Sequence, residues 1–243
     1  MRKILSIFLF MSVLMLSSCE EGFLDRPPVD QITIDNYYNT PEELRIATRA
    51  LYNVVWFNYN DKAYFAIGDV ASGNMLSNDG AWTSFARFSV SGTTSRLLEA
   101  WRSHYGVIAQ ANMLIYSVNN STSTQITEQH RNLAIAEAKF MRGVAYLLLA
   151  ECWGDVPLIT NNLALLKDYA IHRNRVQDVY DFAILDLEFA ANHLLSEDQA
   201  GRVTQWSAKA MLARAHLYRA GLGQSGSPDA QHLAKARDYA VDV

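Results

Sequence analysis

Glu137-Ala138-Lys139-Phe140-Met141-Arg142-Gly143-Val144-Ala145-Tyr146-Leu147-Leu148, running on to Gly154-Asp155-Val156-Pro157, is the stretch that decides the fold. Leu133, Ala136, Phe140, Val144, Leu147 and Leu148 recur at the ~3.6-residue spacing of one helix face. Thr127 offers a side-chain acceptor to the free N–H groups where that helix begins. Gly154 suits the turn that ends it, and Pro157 cannot continue it. One long helix with a hard stop is predicted.

The pattern extends outward in both directions. Upstream, Leu98, Trp101, Tyr105, Ile108, Asn112 and Ile115 form a stripe; downstream, Val176, Val179, Ala183, Leu187, Ala190 and Leu194 form another. Thr204 caps a helix carrying Ala208, Met211, Leu212, Ala215 and Tyr218, which ends at Gly221-Leu222-Gly223. A last helix starts near Ala230. Near the beginning, Thr40-Pro41-Glu42-Glu43 reads as a capping box with proline at the first helical position. Leu44, Ala47, Leu51, Val54 and Val55 then predict a helix to about Trp56. Between Asn58 and Thr94 the period is lost: four glycines are mixed with Tyr64, Phe65, Trp82, Phe85 and Phe88. A connection this long is usually functional or disordered, and its aromatics argue against disorder.

The fold class expected is all-α, with a long irregular aromatic-rich insertion. Short loops and the alanine-rich contact positions Ala208, Ala215, Ala236 and Ala240 suggest tetratricopeptide-like helical hairpins, without the full repeat signature. Such hairpins stack into a concave platform suited to binding. Trp56, Trp101, Trp153 and Trp206 lie on stripes or helix ends and are expected to pack. Cys152, on an apolar helix, is expected to be a small core residue.

Half of the 243 residues are apolar and 11% are aromatic, which describes a folded chain. The net charge of −4 makes nucleic acid a poor partner. Arg2 and Lys3 precede an apolar run, Ile4 to Leu16, too short to span a membrane but of signal-peptide length. It ends in Leu16-Ser17-Ser18-Cys19, which resembles the lipobox of bacterial lipoproteins. By that resemblance residues 1–18 are a signal peptide and Cys19 is the lipid attachment site, carrying acyl chains such as palmitate. Residues 19–39, with Pro27-Pro28, are then a lipidated tether. Glu20 and Glu21 resemble the signal that sends some lipoproteins to the cell surface. With Cys19 acylated, Cys152 has no disulfide partner.

Several segments together resemble the SusD-like (starch-utilisation-system D, RagB) family of outer-membrane nutrient-binding lipoproteins. Gly22-Phe23-Leu24-Asp25 is similar to the family's start. Trp101, Tyr105, Ile108 and Ala111-Asn112 are similar to its tryptophan–tyrosine–isoleucine–Ala-Asn helix. The strongest match is Glu137 to Gly143 followed by Ala145-Tyr146 and Gly154-Asp155-Val156-Pro157-Leu158. Here Ala136, Lys139 and Gly143 replace the family's glycine, arginine and alanine. Val179-Tyr180, Asp186-Leu187-Glu188, Gly201-Arg202-Val203-Thr204 and Ala208 to Tyr218 continue the resemblance. Family members are about twice this long, so residues 40–243 are expected to be an N-terminal helical region that is incomplete at its C-terminus.

The resemblance implies a cell-surface lipoprotein that captures oligosaccharide and delivers it to a SusC-like TonB-dependent outer-membrane transporter. It also implies a sugar-facing surface in the irregular segment, built on Trp82, Asn78, Asp79 and Asp69. An indole offers an apolar face to a pyranose ring, and Asn and Asp can bond its hydroxyls. The competing reading is that Trp82 pins the loop to the helices. No enzyme, cofactor or metal is expected. The six histidines lack paired helical spacing, no serine sits in a Gly-x-Ser-x-Gly elbow, and Gly221-x-Gly223-x-x-Gly226 follows a helix rather than a strand. The rival reading is a periplasm-facing helical-repeat scaffold lipoprotein.

Overall fold

The structure, a computed structural model, describes residues 38–166, 170–223 and 227–243. The expected signal peptide, Cys19 and the tether as far as Tyr37 lie outside the described residues. Four long helices carry the architecture: α4 (Ser95–Asn120), α5 (Glu128–Trp153), α6 (Val176–His193) and α7 (Gln205–Ala220). A shorter α8 (Ala230–Asp242) follows. Each packs on the next in chain order, as stacked helical hairpins do. Before them come α1 (Pro41–Ala47), α2 (Val54–Asn58) and α3 (Gly80–Ala86). Among the described residues no β-strand forms; Val156 and Asn174 make an isolated antiparallel bridge.

Caps stand where the local chemistry puts them. The Thr40 hydroxyl accepts from the Glu43 N–H (3.2 Å), and the Glu43 carboxylate accepts from the Thr40 N–H (3.1 Å). At α5 the Thr127 hydroxyl accepts from the His130 N–H (3.3 Å), while His130 Nδ1 accepts from the Thr127 N–H. Gly154, with φ +69°, ends α5 in a conformation that disfavours a side chain. The four residues after it tie down the neighbours. Asp155 Oδ1 accepts from the first N–H of α6 (2.8 Å), Val156 is buried, and the Pro157 carbonyl accepts from Tyr105 (2.9 Å). The Leu158 N–H donates to Asn174 (3.0 Å).

α5 is the axis of the core. Ala134 to Ala138, Phe140 to Gly143, Ala145 to Leu147, Leu149 and Ala150 are all buried, so the helix is covered on every side rather than along one stripe. At Gly143 a Cβ would meet Leu187 Cγ at 3.0 Å and the Ala183 carbonyl at 3.1 Å, which shows how closely α6 approaches. Two charges enter this interior. Arg142 donates through Nε and Nη2 to both oxygens of Asp186 on α6 (2.7 and 2.9 Å) and through Nη1 to Asn112 on α4 (2.6 Å). Glu137, with no exposed surface, accepts from Arg45 (2.7 Å), Tyr52 (2.7 Å) and Arg202 (2.7 and 3.0 Å).

Four expectations need correction. The helix from Thr40 does not run straight to Trp56. Arg202 and Thr48 both donate to the Arg45 carbonyl, and the chain tightens into a 3-10 turn at Thr48–Tyr52. It then breaks at Asn53 before α2. Residues 58–94 are not irregular throughout, since helical turns continue to Val70 and α3 interrupts the rest. Cys152 is exposed rather than core: it sits ~100° around the helix from Trp153, which packs on α4. Tyr218 and Trp206 are exposed too, Trp206 lying beneath the Lys209 ammonium (4.9 Å).

Removing a buried carboxylate strands the cations around it and is strongly destabilising. Glu137→Ala should therefore lower the unfolding free energy by about 3–5 kcal/mol, measured by urea denaturation. Glu151→Ala, whose Arg214 partner reaches solvent, should cost far less.

Candidate functional site

The helical run that starts with α2 continues through two wide π turns, Tyr59–Ala63 and Ala66–Val70. The Tyr64 N–H donates to the Tyr59 carbonyl, five residues back. Turns of this kind are rare and concentrate at functional sites. Ala63, Ala66 and Val70 are buried beneath them, while the adjacent Tyr64 and Phe65 stay 52% and 38% exposed. The run is covered on one side only, so this adjacent pair of aromatics is left at the surface.

α3 lies against this run. Asp79 caps it, accepting from the Ala81 N–H (2.9 Å), and is paired at 3.6 Å with Arg96. Arg96 also binds Glu99 (2.7 Å), and these acidic partners hold its guanidinium pKa above the ordinary value. α3 presents Trp82, whose ring stacks on Phe65 with centroids 6.5 Å apart and planes 17° apart. Phe65 meets Tyr64 edge-on at 5.5 Å, and Tyr64 meets Tyr59 edge-on at 5.9 Å. Four rings thus form a continuous ladder from the core to the surface. Phe88, just past α3, is 82% exposed and holds a left-handed backbone (φ +53°), an outlier for a bulky residue.

Trp82 is half-buried against Phe65 and a small cluster of Ala66, Val70 and Phe85, so part of its surface pins α3. Its indole N–H is buried and finds no partner among the described residues. Asp69, on the second π turn, accepts through its main-chain carbonyl from the Asn74 and Met75 N–H groups. Among the described residues, neither its carboxylate nor the exposed Asn78 amide forms a hydrogen bond or ion pair. Asp79 is engaged structurally; Asp69 and Asn78 keep their capacity. The structure thus brings Trp82 and Asp79 together on α3 against the turn bearing Asp69. Sequence reasoning missed Tyr64 and Phe65 as members of the site, and the signal was their adjacency within a helical segment. Among the described residues no three His, Cys, Asp or Glu side chains converge as metal ligands.

Behind the ladder lies His104, fully buried, with neither ring nitrogen hydrogen-bonded among the described residues. Tyr59 covers it at 4.5 Å, Trp56 at 6.0 Å and Trp153 at 6.2 Å. Burial among these rings pushes its pKa down to about 4.

The architecture is one of stacked helical hairpins with an aromatic ladder at its surface. A family model described as "Starch-binding associating with outer membrane" matches residues 23–217, and the chain belongs to that SusD-like family. A SusD-like protein of Bacteroides ovatus is 36% identical over 96% of this chain and 42% of its own length. A solved structure with xylogluco-oligosaccharide is also 36% identical, with a TM-score of 0.75, covering 82% of this chain and 39% of that one. A SusD superfamily structure from Parabacteroides distasonis shares the fold at TM-score 0.70 and 24% identity, over 82% of this chain and 44% of that one. The chain spans about two fifths of the length of the curated relatives it matches.

His104 ties the ladder's foundation to pH. Its folded pKa lies below its ordinary value of 6.5, so the proton binds more tightly once the site opens. The stability contributed by neutral His104 is complete above pH 6.5 and is lost as pH falls toward 4. A shift of this size corresponds to roughly 3 kcal/mol. The melting temperature should fall across that window, and His104→Phe should reduce the fall. His216, held down to about 4 by burial and by His232, titrates in the same direction and remains in the variant. An unchanged pH profile in His104→Phe would refute the linkage.

Proposed function

We propose that this chain is the glycan-capturing region of a cell-surface lipoprotein that hands oligosaccharide to a SusC-like TonB-dependent transporter. The observation that carries the reading is the ladder Tyr59–Tyr64–Phe65–Trp82, with exposed rings beside the unengaged Asp69 and Asn78. Stacked aromatic faces next to free amide and carboxylate groups match the two surfaces of a sugar ring, its apolar C–H face and its hydroxyl edge. The solved relative that holds a xylogluco-oligosaccharide supports a neutral oligosaccharide as the ligand class. The family description supports the outer-membrane placement. The anchor at Cys19 rests on Leu16-Ser17-Ser18-Cys19, and the outward orientation on Glu20 and Glu21. The role is binding, so no catalytic residue is assigned.

Two measurements test this reading. Trp82→Ala and Phe65→Ala should each weaken binding of xylogluco-oligosaccharide by about 1–3 kcal/mol, the scale of burying one large apolar side chain. Calorimetric titration and thermal melting belong together here, because Trp82 also pins α3. Unchanged affinity with a lowered melting temperature would reduce Trp82 to a loop anchor. For the membrane end, Cys19→Ala should abolish palmitate labelling and release the protein from the membrane fraction. Labelling at the wild-type level would reject the anchor.

A further inference from the structure

A cleft lies between the C-terminal half of α4 and the segment that follows α5. It holds about 200 Å³, and its lining includes Asn112, Met113, Tyr116, Asn119, Thr160 and Asn161. Its floor is set by interactions made for the fold. Asn112 is buried, accepts from Arg142, and donates to the Ile159 carbonyl (2.8 Å) and to Asn162 Oδ1 (3.1 Å). Asn162 in turn donates to the Ala109 carbonyl (2.7 Å), and the Ile159 N–H donates to the Tyr146 hydroxyl (2.7 Å). The loop wall is therefore held against both α4 and α5.

The rim is in the opposite condition. The Asn119 amide and the Thr160 hydroxyl are exposed and make no hydrogen bond among the described residues. Asn161 uses only its oxygen, which accepts from the Leu163 N–H (2.9 Å), leaving its NH₂ group to spare. Tyr116 is 39% exposed, and Met113 is exposed beside it. Among the described residues no charged side chain lines the cleft.

This combination selects a ligand by exclusion. A charged group entering would meet no countercharge among the described lining residues. A purely apolar one would leave amides and hydroxyls desolvated and unpaired, at a cost of roughly 1–3 kcal/mol each. A neutral ring with hydroxyls on its edge and C–H groups on its face meets both surfaces. The volume lies below the ~300–1,000 Å³ of pockets that enclose drug-sized ligands, so it suits one ring rather than a chain. The cleft is also separate from the ladder. Leu97, which packs in the Trp82 cluster, precedes Tyr116 by nearly the length of α4, close to 30 Å at ~1.5 Å per residue.

We infer that this cleft is a second, single-ring site for a neutral sugar. A terminal or branch residue of a bound polymer is the natural occupant, and two sites on one molecule strengthen polymer binding through effective concentration.

The test is a titration of the full chain with D-glucose, D-xylose and D-galactose, read from the side-chain amide NMR signals of Asn119 and Asn161. The Trp82→Ala protein is titrated in parallel. At least one neutral sugar should shift both signals saturably, and equally in wild type and Trp82→Ala. In Tyr116→Ala and Asn119→Ala, with the remaining amide as probe, its affinity should fall about tenfold, as expected for one lost anchor. Both residues are exposed, so the melting temperature should hold. D-glucuronate should bind more weakly than the neutral sugar. No saturable shift with any of the three sugars, or undiminished binding in both variants, overturns the site. Equal affinity for glucuronate overturns its assignment to neutral ligands. The response of xylogluco-oligosaccharide to Trp82→Ala is read separately and bears only on the ladder.

Discussion

The carboxylate of Glu137 sits at the centre of the molecule without any contact with solvent, and the surrounding elements are arranged to make that tolerable. Taking one such ion out of water costs several kcal/mol even after relaxation, so its partners have to be present together. They come from three places: Arg45 on α1, Tyr52 on the 3-10 turn, and Arg202 on the loop before α7. Arg45 is anchored further by Asp198, and Arg202 by the Thr48 hydroxyl and the Arg45 carbonyl. Five residues along the same helix, Arg142 does the equivalent for α4 and α6 through Asn112 and Asp186. Through its two buried charges one helix therefore ties together α1, the 3-10 turn, α4, α6 and the loop before α7.

The candidate binding surface grows from this frame. α4, positioned by Asn112 at one end, carries His104 and Trp101 toward the other, where Trp56, Tyr59 and Trp153 close over them. That aromatic floor supports the π turns, and the π turns present Tyr64 and Phe65. Burial keeps the Tyr59 phenol protonated, raising its pKa above the ordinary value, so the base of the ladder is uncharged. The rings form a neutral face on a chain whose strongest ion pairs are turned inward. A neutral, hydroxyl-rich ligand fits such a surface better than an ionic one does.

Both the ladder and the amide-rimmed cleft draw on α4, and both keep polar groups that the fold does not consume. Asp69 and Asn78 flank the ladder; Asn119 and Thr160 flank the cleft. Elsewhere the long polar side chains are largely committed. Arg131 donates to the Val118 carbonyl in the last turn of α4 and to the Ser121 and Ser123 carbonyls just beyond it, and Arg219 pairs with Asp181 between α7 and α6.

Much of this was legible in the residues alone. The stripe Val179, Ala183, Leu187, Ala190 and Leu194 is buried as its spacing requires, and the capping box at Thr40 and the stop at Gly154 form as local backbone chemistry dictates. Periodicity and caps are short-range properties, so sequence order alone determined the number, order and approximate ends of the long helices. What needed the tertiary structure was every contact between residues far apart in the chain. Sequence order could mark Glu137 as part of a motif, but only the packed structure brings Arg202, 65 residues away, to its oxygens. It could mark Trp82 as an aromatic in an irregular segment, but only packing decided that Phe65 would lie beneath it, and that residues 59–70 would be helical after all. Exposure was decided there too: Cys152 and Trp206 sit on helices that read as apolar, and only their neighbours' positions leave them at the surface. A helix face is inscribed in the spacing of its residues. Which partner meets that face, and where two faces leave a cleft between them, depends on distances that no single segment contains.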